Sequence, residues 1–184
     1  NSGIPVRSPE QISSKMILLR ALNLSSALSS KCINSNVRWS ISGTPILILA
    51  RKDFPAKDLK EFVAYLKANT DKLNEAHAGV GSVSYSSCQL LDSVLKINPT
   101  GVPFNGTGPA MNALVGGQVD YMCDQIVNAV PQIKGGTIKA YAIATPERNP
   151  SLPDVPTTTE AGLPEYQAQA WNAIFAPKGT PAPI

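Results

Sequence analysis

From Gly43 onward, strand-length apolar runs alternate with runs of helical period, and Gly or Pro punctuates each change. That alternation constrains the fold more than any other feature of the chain. Thr44–Ala50 (TPILILA) is continuously apolar with β-branched residues, which reads as a buried strand. Asp58-x-x-Glu61 then has capping-box form behind Pro55. Leu59, Phe62, Val63 and Leu66 follow at i, i+3, i+4 and i+7 and predict an amphipathic helix to Asn69. The stretch KLNEAHAG gives a short strand, and Leu90, Leu91, Val94 and Leu95 mark the apolar face of the next helix. Residues 100–104 read as a strand, 105–117 as a turn plus helix stopped by Gly116-Gly117, and 118–124 as a strand. A short helix over 125–136, a strand over 138–145, a proline-rich loop with a short helix near Thr157–Ala161, and a last strand over 169–177 complete the series. Strands alternating with helices predict an α/β fold with a largely parallel sheet.

The chain has 184 residues, 43% hydrophobic and 16% charged, enough for one core or one and a part. Its net charge of +3 is spread without a Lys/Arg block, which argues against nucleic acid or a membrane surface as partner. No apolar run nears the ~18 residues that span a bilayer. Serines and Asn23 interrupt Met16–Leu28, so it makes a poor secretory signal. That leaves a cytoplasmic protein, or a chain whose leader is not included. Cys32, Cys88 and Cys123 fit no CxxC pattern, and His77 is the one histidine, so no zinc site is expected. Cys88 and Cys123 read as small buried hydrophobes, although nothing forbids one cysteine from pairing or reacting; Trp171 reads as core or as a cleft-lining residue, and Tyr121 and Tyr141 as core. Residues 1–40 differ: they are serine-rich, and their one helical stretch, about 11–28, lacks a partner strand.

Three features could carry chemistry. The first is the loop in AGVGSVSYSSCQLLDSVL, residues 78–95. Gly79 and Gly81 permit close backbone approach, and Ser82 or Ser84 can cap the helix that follows. Free N–H groups at that helix start favour an anion, but a capped helix with no further role fits equally well. The lysine of a phosphate loop is missing, and so is the flanking glycine pattern of a nucleophile elbow. The second feature is Gly106-Thr107-Gly108 ahead of Pro109, another Gly/Thr helix start after a strand. In an open sheet both starts lie at carboxyl ends of strands, where ligands bind. The third is Asp124 on the same rim, either a helix cap or an acceptor for a ligand hydroxyl, ammonium or water. No residue pair forms a catalytic constellation.

GVGSVSYSSCQLL, VPFNGTGPAMNALVGGQVDYMCDQ and LPDVPTTTEAGLP…W…FAPKGTPAP resemble the Bug family. These are TctC-like periplasmic substrate-binding receptors of tripartite tricarboxylate transporters, and the likeness runs from about Ile41 to Ile184. The resemblance implies a type II-like periplasmic-binding-protein (Venus-flytrap) fold. Residues 44–170 would form the second α/β ligand-binding domain and 171–184 a crossover, with 1–43 an atypical segment or a remnant of the first domain. It implies capture of a small organic acid: a di- or tricarboxylate, an amino acid or an aromatic acid. Gly81, Ser82, Val83, Ser84 and Tyr85 match the family's first ligand loop, Thr107 and Gly108 the second, and Asp124 the aspartate after the strand.

The resemblance further implies a periplasmic, monomeric protein with membrane transporter subunits as partners, and neither catalysis, metal nor cofactor. Tyr85 stands where relatives commonly carry histidine, and Phe104-Asn105 where they carry a tyrosine and a cation. The family's first cleft loop has no counterpart in residues 1–40, so a truncated or frameshifted gene product is the expectation. A sensor feeding a two-component system, or a fragment that no longer binds, are the alternatives.

Overall fold

The computed structural model describes residues 37–175, and the side chains of 43–171. The helix expected near 11–28 lies outside the described residues. The chain divides into two units, 1–41 with 173–184 and 42–172, and the second carries the site.

The elements are β1 (Val37–Arg51), α1 (Leu59–Ala68), a 3-10 turn (Thr70–Lys72), β2 (Asn74–His77), α2 (Val83–Leu95), β3 (Thr100–Pro103), α3 (Thr107–Val115), β4 (Tyr121–Gln125), α4 (Ile126–Lys134), β5 (Ile138–Ile143) and β6 (Gln169–Phe175). The strands lie in the order β3-β2-β4-β1-β5, with β6 also pairing β1. β2 runs parallel to β3 and β4, whereas β1 runs antiparallel to both β4 and β5. The sheet is therefore mixed, not largely parallel. Apolar runs give each strand's existence and burial, but its direction follows from how the connections travel, which no local pattern encodes.

Alternation in TPILILA sets the two faces. Ile46, Ile48 and Ala50 join Tyr121, Cys123 and Tyr141 under α1 and α2. Leu47 and Leu49 join Ala76, Met122 and Ile143 under α3 and α4. Both faces are covered, so β1 residues 46–50 are wholly buried and the strand reads as a continuous apolar run. The capping box at α1 forms as the spacing predicts. Asp58 Oδ1 accepts from Glu61 N at 2.8 Å, and Glu61 Oε2 reaches back to Lys57 N at 2.8 Å. On α1's inner face Phe62 stacks on Tyr141 with ring centroids 4.6 Å apart.

Three side-chain expectations need correction or sharpening. Tyr121 and Tyr141 are core, but Trp171 on β6 is 63% exposed. A strand of alternating faces leaves one face open unless another layer covers it, and the sequence does not say which. Cys88 and Cys123 are fully buried, yet they are joined as a disulfide between α2 and β4. Their separation of 35 residues gives no sign of pairing; α2 packing on β4 creates it. The helix expected near Thr157–Ala161 is a single turn. Thr157 Oγ1 and Glu160 Oε2 make the reciprocal capping bonds, and Ala161 N donates to Thr157 O. Gly162 at φ +91 then ends it before a second turn.

Candidate functional site

β3, β2 and β4 are adjacent and parallel, so their carboxyl ends and the starts of α3, α2 and α4 share one rim. α2 leaves β2 toward one face of the sheet, and α3 leaves β3 toward the other. Neighbouring strands whose connections depart to opposite faces leave a crevice between their ends, where ligands of open α/β sheets bind. The loops after β2 and β3 meet at that crevice. Phe104 N donates to His77 O at 2.9 Å, and a Cβ on Gly79 would lie 3.6 Å from Phe104 O. That contact is ordinary, but Gly79 holds φ +100, so its backbone suits glycine there.

The first loop is organised by its serines. Ser82 caps α2, its Oγ accepting from Tyr85 N at 3.2 Å. Ser84 is 2% exposed, and its Oγ accepts from Ala78 N at 2.9 Å. The two hydroxyls lie 3.1 Å apart, one donating to the other. Ser84 Oγ thus clasps the two ends of the loop, and what Ser84 offers the rim is its backbone N–H. Val83 and Ser84, the first two residues of α2, have no helical acceptor for their N–H groups. Val83 is 39% exposed. The half-buried Tyr85 lays its ring against His77 edge-on, centroids 4.9 Å apart.

The second loop is less occupied. Gly106, at φ +106, is the N-cap of α3 and provides no side-chain bond. The N–H groups of Thr107 and Gly108 therefore have neither a helical acceptor nor a side-chain cap, and Pro109 has no N–H to leave unpaired. Asp124, near the end of β4, lies two residues beyond Met122, which pairs with Ala76, so it is level with Ala78. It is 2% exposed, and its Oδ2 accepts from Asn128 Nδ2 at 3.1 Å. Burial pushes the Asp124 carboxyl above its ordinary value, opposed by the Gln125 backbone N–H and by Asn128. Gly81, on the exposed tip of the first loop, completes the set at φ +85.

All eight residues singled out in the sequence thus sit at the ends of three adjacent strands. Asp120 lies at the opposite end of the sheet, holding Arg51 Nε at 3.1 Å and Asn74 N at 2.9 Å. Two residues of the rim carry no motif. His77 is 4% exposed with Nδ1 unpartnered among the described residues, and it is legible only as the histidine directly before the loop. Asn128 follows Asp124 at i+4 across a strand–helix junction, a spacing that means nothing until the helix is placed. A groove of about 520 Å³ beside the start of α4, lined by Thr44, Pro45, Ile126, Val127 and Ser151 among others, includes none of the eight.

The rim offers backbone amides, hydroxyls and one buried acid. Among the described residues there is no cluster of three or more metal-ligating side chains, and no helix is long and apolar enough to cross a membrane. Amides aimed from helix starts suit an anion, each end contributing about 0.3–1 kcal/mol.

The model of the tripartite tricarboxylate transporter family receptor matches residues 31–184. A UPF0065 protein from the TAR-I ttuE-ttuC' intergenic region of Agrobacterium vitis is 44% identical over 144 residues, covering 78% of this chain and 42% of that protein. BugT of Bordetella pertussis is 29% identical over 169 residues, 91% of this chain and 52% of its own. Among solved structures, MatC of Rhodopseudomonas palustris with bound malate superposes with a TM-score of 0.75 at 61% identity, covering 80% of this chain and 50% of MatC. The periplasmic binding protein BugD superposes at 0.74 and 42% identity, with 80% and 50% covered. An R. palustris protein with adipate superposes at 0.73 and 28% identity, with 81% and 49% covered. The chain spans about half the length of the relatives it matches.

Proposed function

The chain belongs to the tripartite tricarboxylate transporter receptor family, and from that premise we propose that residues 44–170 form the carboxylate-binding lobe of an extracytoplasmic solute receptor. The observation that carries this reading is the crevice between β2 and β3, where two helix starts leave backbone N–H groups free. A ligand carboxylate would be held by the amides of Gly81, Val83, Ser84, Thr107 and Gly108 with the hydroxyls of Ser82 and Thr107. Tyr85 would close one side. Asp124, a negative or shared-proton acceptor at the same level, suits a hydroxyl or ammonium on the ligand rather than a second carboxylate.

A hydroxy acid fits this donor set best. The 61% identity to MatC, which holds malate, supports the choice. Membership of a receptor family and a rim of amides and hydroxyls support capture as the role, followed by delivery to membrane transporter subunits. A periplasmic location agrees with the Cys88–Cys123 disulfide, because such bonds persist in oxidising compartments.

Calorimetric titration with malate, succinate, adipate and an aromatic acid tests the reading. It should be run on this chain and on a version extended to the full length of its relatives. Saturable binding of malate by either, weakened by Thr107→Ala, is the expected result. Binding by the extended protein alone would show that a facing wall is required. Heat-silent titrations and unchanged melting temperatures for both would refute the reading.

A further inference from the structure

Glu75 on β2, Asp92 on α2 and Tyr121 on β4 meet beneath the α1 and α2 layer, at 1%, 5% and 0% exposure. The Tyr121 hydroxyl lies 3.1 Å from Asp92 Oδ1 and 3.4 Å from Glu75 Oε2, but it has one proton to donate. Glu75 Oε1 and Asp92 Oδ2 are buried without any donor. The two carboxyls flank the one Tyr121 hydroxyl from opposite partners, so they are buried side by side with that single proton between them. Two carboxylates cannot donate to one another, whereas a carboxylic acid and a carboxylate can.

The surroundings offer no other remedy. Tyr166, which also faces the pair, points its hydroxyl at Ser87 O, 3.3 Å away. His77, two residues along on β2, has its own Nδ1 unpartnered. Among the described residues, no lysine or arginine contributes a compensating charge to either acid. Two buried like charges with one phenol proton between them would cost several kcal/mol, so a proton is retained instead.

We propose that Glu75 and Asp92 share one proton in the folded protein, Glu75 Oε1–H donating to Asp92 Oδ2, and that the β2–α2 unit under the ligand loop therefore loses stability as pH rises. The titration behaviour agrees. Burial first, and then Asp92 beside it, push the Glu75 carboxyl from its ordinary 4.5 up to about 9. Burial also raises Asp92. The folded value lies above the unfolded one, so between pH 4.5 and 9 the folded chain keeps a proton that the unfolded chain has released. The stabilisation is fully present below pH 4.5 and is lost as pH climbs through 9. Inside that window each pH unit lowers the folding constant about tenfold for one retained proton.

Glu75→Gln replaces the acid proton with an amide N–H, which can donate to Asp92 and does not titrate. Carboxyl-carbon NMR of the wild-type chain, with resonances assigned through Glu75→Gln and Asp92→Asn, should show one of the two carboxyls still protonated at pH 7. Denaturation midpoints from pH 5 to pH 9 should fall steeply in the wild type and more shallowly in Glu75→Gln, which should be the more stable protein at pH 8. Ordinary titration of both carboxyls, or an unchanged pH slope in Glu75→Gln, overturns the proposal. If Glu75→Gln does not fold, the wild-type resonances, assigned through Asp92→Asn, decide it alone. No ligand is involved, so the outcome does not depend on the proposed binding function.

Discussion

Reducing the Cys88–Cys123 bond should destabilise the protein by a few kcal/mol, and the loop it closes sets the magnitude. The cysteines are separated by 35 residues, a loop that holds β3, α3 and most of α2. Loop-closure entropy for a ring of that length is worth about 3.8 kcal/mol at 25 °C. Both sulfurs are fully buried, so two thiols left in place by reduction keep the packing volume and isolate the entropic part. Substitution of both by Ala would add a cavity contribution of about 1–2 kcal/mol. The assay is urea denaturation of oxidised protein beside protein unfolded, reduced and refolded in a thiol-free reductant. With a slope of about 2 kcal/mol per molar, the midpoint should drop by about 1–2 M. The bond also joins the helix that starts at the Ser82–Tyr85 loop to the strand that carries Asp124, so ligand affinity should fall along with stability. Free thiols at both Cys88 and Cys123 in protein isolated without reductant, or a midpoint change under about 0.3 M, would refute the reasoning.

Further outcomes follow from the same geometry. Ser84→Ala removes the acceptor for Ala78 N and should cost about 1–2 kcal/mol in thermal unfolding, with an affinity loss of about tenfold because Ser82 loses its partner. A loss of affinity with stability unchanged would instead make Ser84 a direct ligand contact. Asp124→Asn relieves a carboxyl that burial has raised, a stabilisation present at low pH and lost as pH rises through the folded value. The variant should therefore melt no lower than wild type at pH 8 while binding hydroxy acids more weakly; a lower melting temperature with full affinity contradicts that. Asp58→Ala should lower stability by about 1 kcal/mol through loss of the α1 cap, with no effect on binding, as denaturant titration can show.

Much of the candidate site is legible in the chain because helix starts announce themselves locally. Ser82 caps the next helix three residues on, and Gly106 at positive φ opens the one after it; both signals lie within five residues of the feature they create. Asp124 was readable as a rim residue for the same reason, standing where a strand gives way to a helix. What stayed hidden depends on side chains that meet from distant segments. Nothing in Ser84 distinguishes a ligand contact from a clasp until Ala78 N is seen 2.9 Å from its oxygen. His77 looked like any lone histidine until Tyr85 lay against it.

The sequence by itself determined most of the strands and helices, the buried faces of α1 and α2, and that two helix starts leave amides open. Those properties follow from periodicity, capping and backbone freedom over a few residues. Tertiary structure alone decided the antiparallel course of β1, the disulfide between α2 and β4, the exposure of Trp171, and the burial of Glu75 with Asp92. Each of these depends on which elements become neighbours. Neighbours as close in the chain as Glu75 and Asp92, 17 residues apart, or as far as Ile46 and Gln125, 79 apart, are chosen by the packing of the whole sheet, not by any local stretch of chain.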